Sequence, residues 1–511
     1  MNLLFYLQMN IQVFKKKDTL YTLILLLTAF SLRIINLGYS DYQGDEIKAL
    51  FLPDSGQSIS SFLLDQRKGP VQFIVTFLIK FINPMYSNEL VTRLPFALAG
   101  IFAVLVFYKF LKLYFDEDTA FFSSFFLSTN GFLIAFSRIV QYQSFVILFM
   151  LLTLYFFELA VKYEAWRIRG IYMGFICWSI SILSHYDGIF IFPFAFYLLI
   201  QVVKALPNSK KTIISALLIF TFLVALFYIP FVLSISQSTM EYWENRLSGG
   251  GEKVSSSKYL FTVYHPIYTV HIYTLLASLG FARVIFDKLK KRSFSDPKTF
   301  IFLWFLVPAI FLELIVNIPG THIFTYLIPL SFFLGYGVKT IKDLIFWFIK
   351  HNVANVLTYL GVFIVFSFLF LQSYAVYVDH TNEYPWEGEK FLIWEFPKPT
   401  PIFHLSMFGF PYYRNWEEIR NIILSSENNG FYSTNERESI SRYYIPLNKS
   451  SEKAGYYILI RNPQSFNETV TNVRVKTWIE KNLPIFTISK REKNIVEIYY
   501  IPDDFQLIPQ G

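Results

Sequence analysis

Residues 19–48 read TLYTLILLLTAFSLRIINLGYSDYQGDEIK. The first twenty, Thr19 to Gly38, are mostly apolar and carry a single charge, Arg33. As a helix they are long enough to cross the ~30 Å hydrocarbon core of a bilayer. Lys15, Lys16 and Lys17 precede them and no small-residue cleavage motif follows. The stretch therefore reads as an uncleaved first helix whose N-terminus is cytoplasmic. The chain then turns polar at once, with Asp41, Asp45, Glu46 and Lys48 inside eight residues. A spanning helix that opens into a tight knot of carboxylates is the pattern from which the rest of the reading proceeds.

The whole chain fits that start. Of 511 residues, 54% are apolar and 16% charged, against ~25% charged in an average soluble domain. This excludes a disordered chain, a nucleic-acid-binding protein and a secreted disulfide scaffold. Cys177 is the one cysteine, so no intrachain disulfide and no Cys-based zinc site can form. Apolar runs recur at 19–38, 93–113, 119–136, 144–161, 170–185, 188–205, 212–235, 266–286, 299–317, 321–338 and 353–374. The fold class is a polytopic α-helical membrane protein of about eleven transmembrane helices. Residues 1–374 form the membrane domain, with a first outside loop at 39–92. Residues 375–511 form a soluble α/β domain, with strand patterns at 456–460 and 495–500 and helical patterns at 416–425 and 469–482.

Charge fixes the expected orientation. The tail from 375 has 15 Lys and Arg against 17 Asp and Glu, leaving 30 basic and 20 acidic residues in the first 374. Residues 70–83 are apolar but short and carry Lys80. If they do not cross, 20 basic residues fall on inside loops, including the Lys288–Arg292 cluster, and nine outside. If they cross, that cluster falls outside, against the bias. The segment thus reads as an amphipathic helix on the outer membrane surface. The tail is then extracytoplasmic, in a cell (inner or plasma) membrane.

Several polar groups gather at the outer side. Asp45 and Lys48 are three apart and share a helix face. A carboxylate beside a cation at a membrane edge can act as a base next to an anionic group, although Gly44-Asp45-Glu46 equally suits an ordinary helix start. Arg67 and Lys68 sit just before the surface helix, where they can meet lipid headgroups or a substrate phosphate. Arg138 lies at the outer end of a span and needs a partner there. Gln141, Tyr142, Gln143 and Ser144 follow it, and Ser184-His185-Tyr186-Asp187 lies between two spans on the same side. The loop at 236–265 holds Gly249-Gly250-Gly251, and reads either as a cover over a substrate or as a plain connector. No phosphate-cradling glycine loop, Rossmann fingerprint or nucleophile elbow stands out.

These motifs, in this order, resemble the GT-C superfamily of integral-membrane glycosyltransferases, close to the protein O-mannosyltransferases and the lipid A aminoarabinose transferases. Asp45-Glu46 matches the family's acidic pair after the first span, and Lys48 the basic residue two positions on. Arg67-Lys68-Gly69-Pro70 stands where the aminoarabinose enzymes have Glu-Lys-Pro, with an inserted glycine and Arg67 in place of the Glu. Arg93-Leu94-Pro95, Ser137-Arg138, Ser184-His185-Tyr186 and Tyr326-Leu327-Ile328-Pro329 match further family patterns. The resemblance covers roughly residues 19–340, and the tail matches nothing nameable.

The resemblance implies an inverting glycosyl transfer from a polyprenyl-phosphate sugar to an acceptor hydroxyl on a protein, a lipid A-type lipid or a cell-envelope glycan. Asp45, with Glu46, would be catalytic. Lys48, Lys68 and Arg138 would hold the donor phosphate. Asp41, Arg67, Arg93, Gln141, Tyr142, Gln143, His185, Tyr186, His265 and Tyr326 are substrate-binding candidates. No cofactor is certain. Some relatives hold a divalent metal ion, for which His265 is a candidate ligand here, but the missing Glu at position 67 removes an expected one. Two other classes stay open: a transporter or flippase for a lipid-linked sugar, and a non-catalytic assembly subunit. The tail either recognises the acceptor or covers the outer opening.

Overall fold

The computed structural model describes residues 16–205, 209–248, 256–291, 296–398, 408–426, 430–450, 453, 455–465, 473–490 and 492–502. Lys15, Gly249-Gly250-Gly251, Arg292 and the first four positions of the helical pattern at 469–482 lie outside these residues.

The first half runs α1 (Lys16–Ile34), α2 (Gly44–Ile47), α3 (Ile59–Leu64), α4 (Val71–Ile79), α5 (Glu89–Lys112), α6 (Glu117–Thr129), α7 (Gly131–Ser137), α8 (Gln143–Lys162) and α9 (Arg167–Ser184). A 3₁₀ turn, Tyr186–Ile191, leads into α10 (Phe192–Ala205). Then come α11 (Lys210–Leu233), α12 (Gln237–Ser248), α13 (Ser256–Tyr264), α14 (Thr269–Lys291), α15 (Pro297–Ile310), α16 (Phe324–Phe348) and α17 (His351–Tyr377). A second 3₁₀ turn, Gly320–Ile323, precedes α16. Among the described residues eight helices are long and apolar enough to cross a membrane, or nine if α6 and α7 form one span bent by 60°. Helices α1 and α9 occupy the two remaining positions of the eleven expected. Their charges, Lys17, Asp18 and Arg33 in one and Arg167 and Arg169 in the other, lower their mean hydropathy.

The bend between α6 and α7 has a local cause. Asn130 leaves the helical conformation, and its side chain accepts the Leu133 N–H at 3.1 Å, so one helix ends and the next is capped at the same residue. Helix α4 has nine residues, too few to span. Phe73, Thr76 and Ile79 are buried on one face, while Ile74 and Leu78 are exposed on the other, as suits a helix lying on a membrane surface.

Beyond Tyr377 lies the expected α/β region. Five strands, β3 (Phe431–Thr434), β4 (Asn448–Lys449), β5 (Gly455–Ile460), β6 (Phe486–Lys490) and β7 (Lys493–Ile501), form one sheet in the order β4-β3-β5-β7-β6. A two-residue pair, β1 (Lys390–Phe391) with β2 (Trp394–Glu395), precedes it. All six residues of β5 are buried, because both sheet faces are covered. Alternate residues sort by face, as the strand period of two demands. Tyr457 and Leu459 pack with Val475 of α20 (Val473–Lys481). Tyr456, Ile458 and Ile460 pack with Trp416 and Ile419 of α18 (Trp416–Ser425) and Ile440 of α19 (Glu438–Tyr444).

That second core continues into the first loop. Tyr42, Ile47, Ala49 and Leu50 belong to it, with Tyr86 and Phe96. The tail and the loop at 39–92 therefore lie on the same side. Asp41 pins them together: it is buried, and its Oδ2 accepts the backbone N–H groups of Arg414 at 2.6 Å and Asn415 at 3.1 Å. Burial pushes its carboxyl up to about 6 from an ordinary 3.8. The folded state thus holds this proton more tightly than the unfolded chain, so stability falls as pH rises through that interval and levels off above it.

Asp41→Ala strands both N–H groups, and at ~1–3 kcal/mol for each unsatisfied buried group it lowers the unfolding free energy of the purified protein measurably. Asp41→Asn keeps an acceptor, loses less, and flattens the dependence of melting temperature on pH between about 4 and 6. Equal melting of Asp41→Ala and the native protein would remove this contact as the pin.

Candidate active site

The polar loop after α1 folds back because two buried residues hold it. Arg93, in the first turns of α5, gives Nε and Nη2 to the two carboxylate oxygens of Glu46, each at 2.8 Å. Its remaining donors reach the carbonyls of Leu37 at 3.1 Å, Ser40 at 2.9 Å and Asp41 at 3.1 Å. Glu46 also accepts the Val140 N–H at 2.9 Å and, closing a capping box, the Gln43 N–H at 2.9 Å. Both residues are almost wholly buried. Every oxygen of Glu46 is engaged, and neither residue lines the large cavity described below.

Asp45, the adjacent residue, points the other way. It is half-buried and lines a cavity of about 740 Å³ at this end of the helix bundle. Among the described residues its carboxylate accepts no hydrogen bond. Lys48, Arg67 and Lys68 line the same cavity. Gly69 lets that basic pair approach: a Cβ there would lie 2.0 Å from the carbonyl of Leu183, at the end of α9. Lys68 Nζ donates to Gln141 Oε1 at 2.7 Å, and Gln141 Nε2 donates to the Asp45 carbonyl at 2.6 Å. The Lys68 ammonium also lies 5.4 Å from the centre of the Tyr142 ring. Burial pushes Lys68 down to about 8; nearby Asp45 opposes the shift and Lys48 adds to it.

Tyr142 stacks on His185, centroids 4.1 Å apart at 9°. Gln143, His185 and Tyr186 complete this wall, and the buried Gln143 Oε1 has no partner among the described residues. The opposite wall comes from elements without a strong sequence signal. Tyr242, Trp243 and Arg246 project from α12, and His322 from the turn before α16. The Tyr242 ring has the Arg67 guanidinium 4.5 Å and the Arg246 guanidinium 5.1 Å from its centre. The 236–265 loop thus contributes a wall through its helical part. Five Lys and Arg side chains (Lys48, Arg67, Lys68, Arg246 and Arg437), with Asp45 and Asp65, make the cavity a cation-rich chamber suited to a phosphate-bearing ligand.

Some expected site residues are placed elsewhere. Arg138 does not reach the cavity: its guanidinium donates to the carbonyls of Leu32, Ile35 and Asn36 at 2.9 to 3.1 Å. It closes the C-terminus of α1, where four carbonyls lack helical partners. Arg93 and Glu46 are the ion pair already described, and Asp41 holds the tail. His265 is buried, accepting the Gly131 N–H at Nε2 (3.0 Å) and bonding the Phe261 carbonyl at Nδ1 (3.0 Å). Burial pushes it down to about 4, and with both nitrogens engaged it has no lone pair for a metal. Tyr326 donates to Glu313 at 2.8 Å, away from the cavity.

A different trio stands close together. His185, Asp187 and His322 are buried, and their ligand atoms lie within 4.8 Å of one another. Asp187 Oδ2 is 2.7 Å from His322 Nδ1 and 3.1 Å from His185 Nδ1.

Comparison with known proteins agrees with this architecture. Residues 69–229 match the family model described as dolichyl-phosphate-mannose-protein mannosyltransferase. Among solved structures, ArnT from Cupriavidus metallidurans bound to undecaprenyl phosphate is similar over 94% of this chain and 97% of its own, with a TM-score of 0.51 at 11% identity. The oligosaccharyltransferase of Archaeoglobus fulgidus, in complex with Zn and sulfate, aligns over 88% of this chain and 58% of its own, with a TM-score of 0.46 at 13% identity. The S. cerevisiae protein O-mannosyltransferase Pmt1-Pmt2 complex aligns over 47% of this chain and 35% of its own, with a TM-score of 0.31 at 14% identity. No curated protein sequence matches. The similarity to ArnT is one of fold. The similarity to the mannosyltransferase family model is confined to residues 69–229 of the 511.

Separate roles for the adjacent acids have a direct check. Glu46→Ala leaves Arg93 buried without its partner and costs ~3–5 kcal/mol of stability, read as a large drop in melting temperature. Arg93→Lys does not recover the bidentate geometry. Asp45→Asn, which breaks no bond in the fold, melts within ~0.5 kcal/mol of the native protein.

Proposed function

We propose that the protein is an inverting glycosyltransferase that moves a sugar from a polyprenyl-phosphate donor to an acceptor hydroxyl. The observation that carries this reading is the contrast at 45–46: Glu46 is saturated, while the Asp45 carboxylate, without a hydrogen bond among the described residues, lines a chamber with Lys48, Lys68, Arg67 and Arg246. Asp45 takes the proton of the acceptor hydroxyl as its oxygen attacks the anomeric carbon. The bond from that carbon to the phosphate oxygen breaks, and its electron pair leaves with the polyprenyl phosphate. The cations neutralise the charge that grows on the leaving phosphate. Gln143 Oε1 is placed to accept from a sugar hydroxyl. Arg246 takes the phosphate-binding role that the sequence pattern suggested for Arg138. None of these steps uses a metal ion.

The helices make the protein integral to a membrane. We place its N-terminus in the cytoplasm and the cavity, first loop and tail outside, on the strength of the basic inner loops. The donor lipid chain lies in the bilayer with its sugar in the chamber, which the tail borders through Arg437.

Asp45→Asn in membranes supplied with a radiolabelled polyprenyl-phosphate sugar reduces transfer by ~10²–10⁴-fold, with the protein still folded. Full transfer by that variant sinks the assigned base, and movement of the lipid-linked sugar across the membrane without transfer favours a flippase. Lys68 makes a second test. Its ammonium form is the one that binds phosphate, so kcat/KM for the donor falls as pH rises through about 8. Lys68→Arg, charged throughout, abolishes that fall; a fall that persists assigns the titration to another group.

A further inference from the structure

The trio of His185, Asp187 and His322 has the geometry of a cation site, yet its hydrogen bonds argue for another use. Arg246 Nη1 lies 3.0 Å from His322 Nε2. A guanidinium only donates, so Nε2 must carry the lone pair. A neutral imidazole has one proton, which is then on Nδ1, and Nδ1 donates it to Asp187 Oδ2 at 2.7 Å. In that state Nδ1 has no lone pair for a metal. Binding a metal there would move the proton to Nε2, facing the N–H of Arg246.

The surroundings of Arg246 point the same way. Its backbone carbonyl accepts the N–H groups of Asn317 at 3.1 Å and Ile318 at 3.4 Å. Its guanidinium packs on the Tyr242 ring. Gly320 has φ +52°, and a Cβ there would lie 3.1 Å from Arg246 Nη2, so the glycine leaves room for the guanidinium while allowing the turn that presents His322. The backbone of Arg246 is thus tied by two hydrogen bonds and its side chain is held between Tyr242 and His322 at the cavity wall.

From this geometry we infer that Asp187 and His322 are positioning residues: a relay Asp187–His322–Arg246 aims one guanidinium at the donor phosphate, in place of a metal. Asp187 is on the turn after α9, His322 on the turn before α16 and Arg246 on α12. The relay thus ties three separate elements to one donor atom. Arg246 touches the phosphate; the other two act through it. This rests on the polyprenyl-phosphate reading above.

The test is a double-mutant cycle on the purified full-length protein, with undecaprenyl phosphate as the probe. Arg246→Ala and His322→Ala each weaken binding about tenfold or more, the scale of a charge-assisted hydrogen bond, and the double variant is no weaker than either alone. In the transfer assay the loss falls mainly on the donor KM. His322→Gln, whose amide oxygen can accept from Arg246, restores most of the affinity. Asp187→Asn, which still accepts from His322 Nδ1, stays within about threefold of native, while Asp187→Leu follows His322→Ala. Melting temperatures are read for every variant, and the Gln and Asn variants keep the test open should His322→Ala or Asp187→Leu fail to fold. Multiplying losses in the double variant, or native affinity in His322→Ala, overturns the relay. So does a stoichiometric zinc or manganese ion in the native protein that His322→Ala lacks. Lys68→Ala is the independent control on the donor reading. If the native protein does not bind the probe, both readings fall; if it binds and Lys68→Ala weakens it, a multiplying cycle removes the relay alone.

Discussion

The pair of Glu46 and Arg93 holds the working end of this molecule together. Arg93 joins α5 to the carbonyls of 37, 40 and 41, and Glu46 joins the same loop to the N–H of Val140 between α7 and α8. Removing two charges from water costs several kcal/mol each, repaid only when geometry and hydrogen bonds are nearly complete. Here they are: both oxygens and the whole guanidinium fork are used. Such a pair contributes less to net stability than to uniqueness of conformation. One conformation of the loop satisfies it, and in that conformation the next side chain, Asp45, has only the cavity to enter.

Positive charge at this end divides into two kinds. Arg93 and Arg138 are buried and spend their donors on backbone carbonyls and Glu46, where the planar fork of arginine can serve several acceptors at once. Lys48, Arg67, Lys68 and Arg246 face the chamber. The buried arginines fix the backbone beside the chamber and the other cations line it, so like charges at one end of the molecule are placed differently.

The helices were legible because twenty apolar residues admit few alternatives to a spanning helix, and the strands at 456–460 and 495–500 because β-branched and aromatic runs are bounded by turn residues. That Asp45 and Lys48 share one wall was legible from their spacing on one helix face, and the place of Lys68 beside them from its position before a surface helix. The roles of Arg138, Arg93 and His265 were not: nothing local says which backbone groups a buried side chain will meet. Arg138 finds its carbonyls about a hundred residues earlier in the chain. The Asp187, His322 and Arg246 grouping is likewise tertiary, joining residues 76 and 135 positions apart. His322 stood alone at the start of an apolar run, and Arg246 sat in a loop whose glycines drew attention away from the amphipathic Tyr242–Arg246 turn beside them.

The contact between Asp41 and residues 414–415 bridges more than 370 positions, which bears on how the protein is made. The first loop leaves the ribosome early, carrying Tyr42, Ile47 and Leu50 that find their packing partners only in the sheet region. All the later helices are synthesised before those partners exist. During that interval the loop is one half of a core, its apolar side chains without their packing partners. A chain cut short after α17 lacks the surface against which Tyr42, Ile47 and Leu50 pack. The tail thus completes the loop: only when it has been made can Asp41 find the N–H groups of residues 414 and 415.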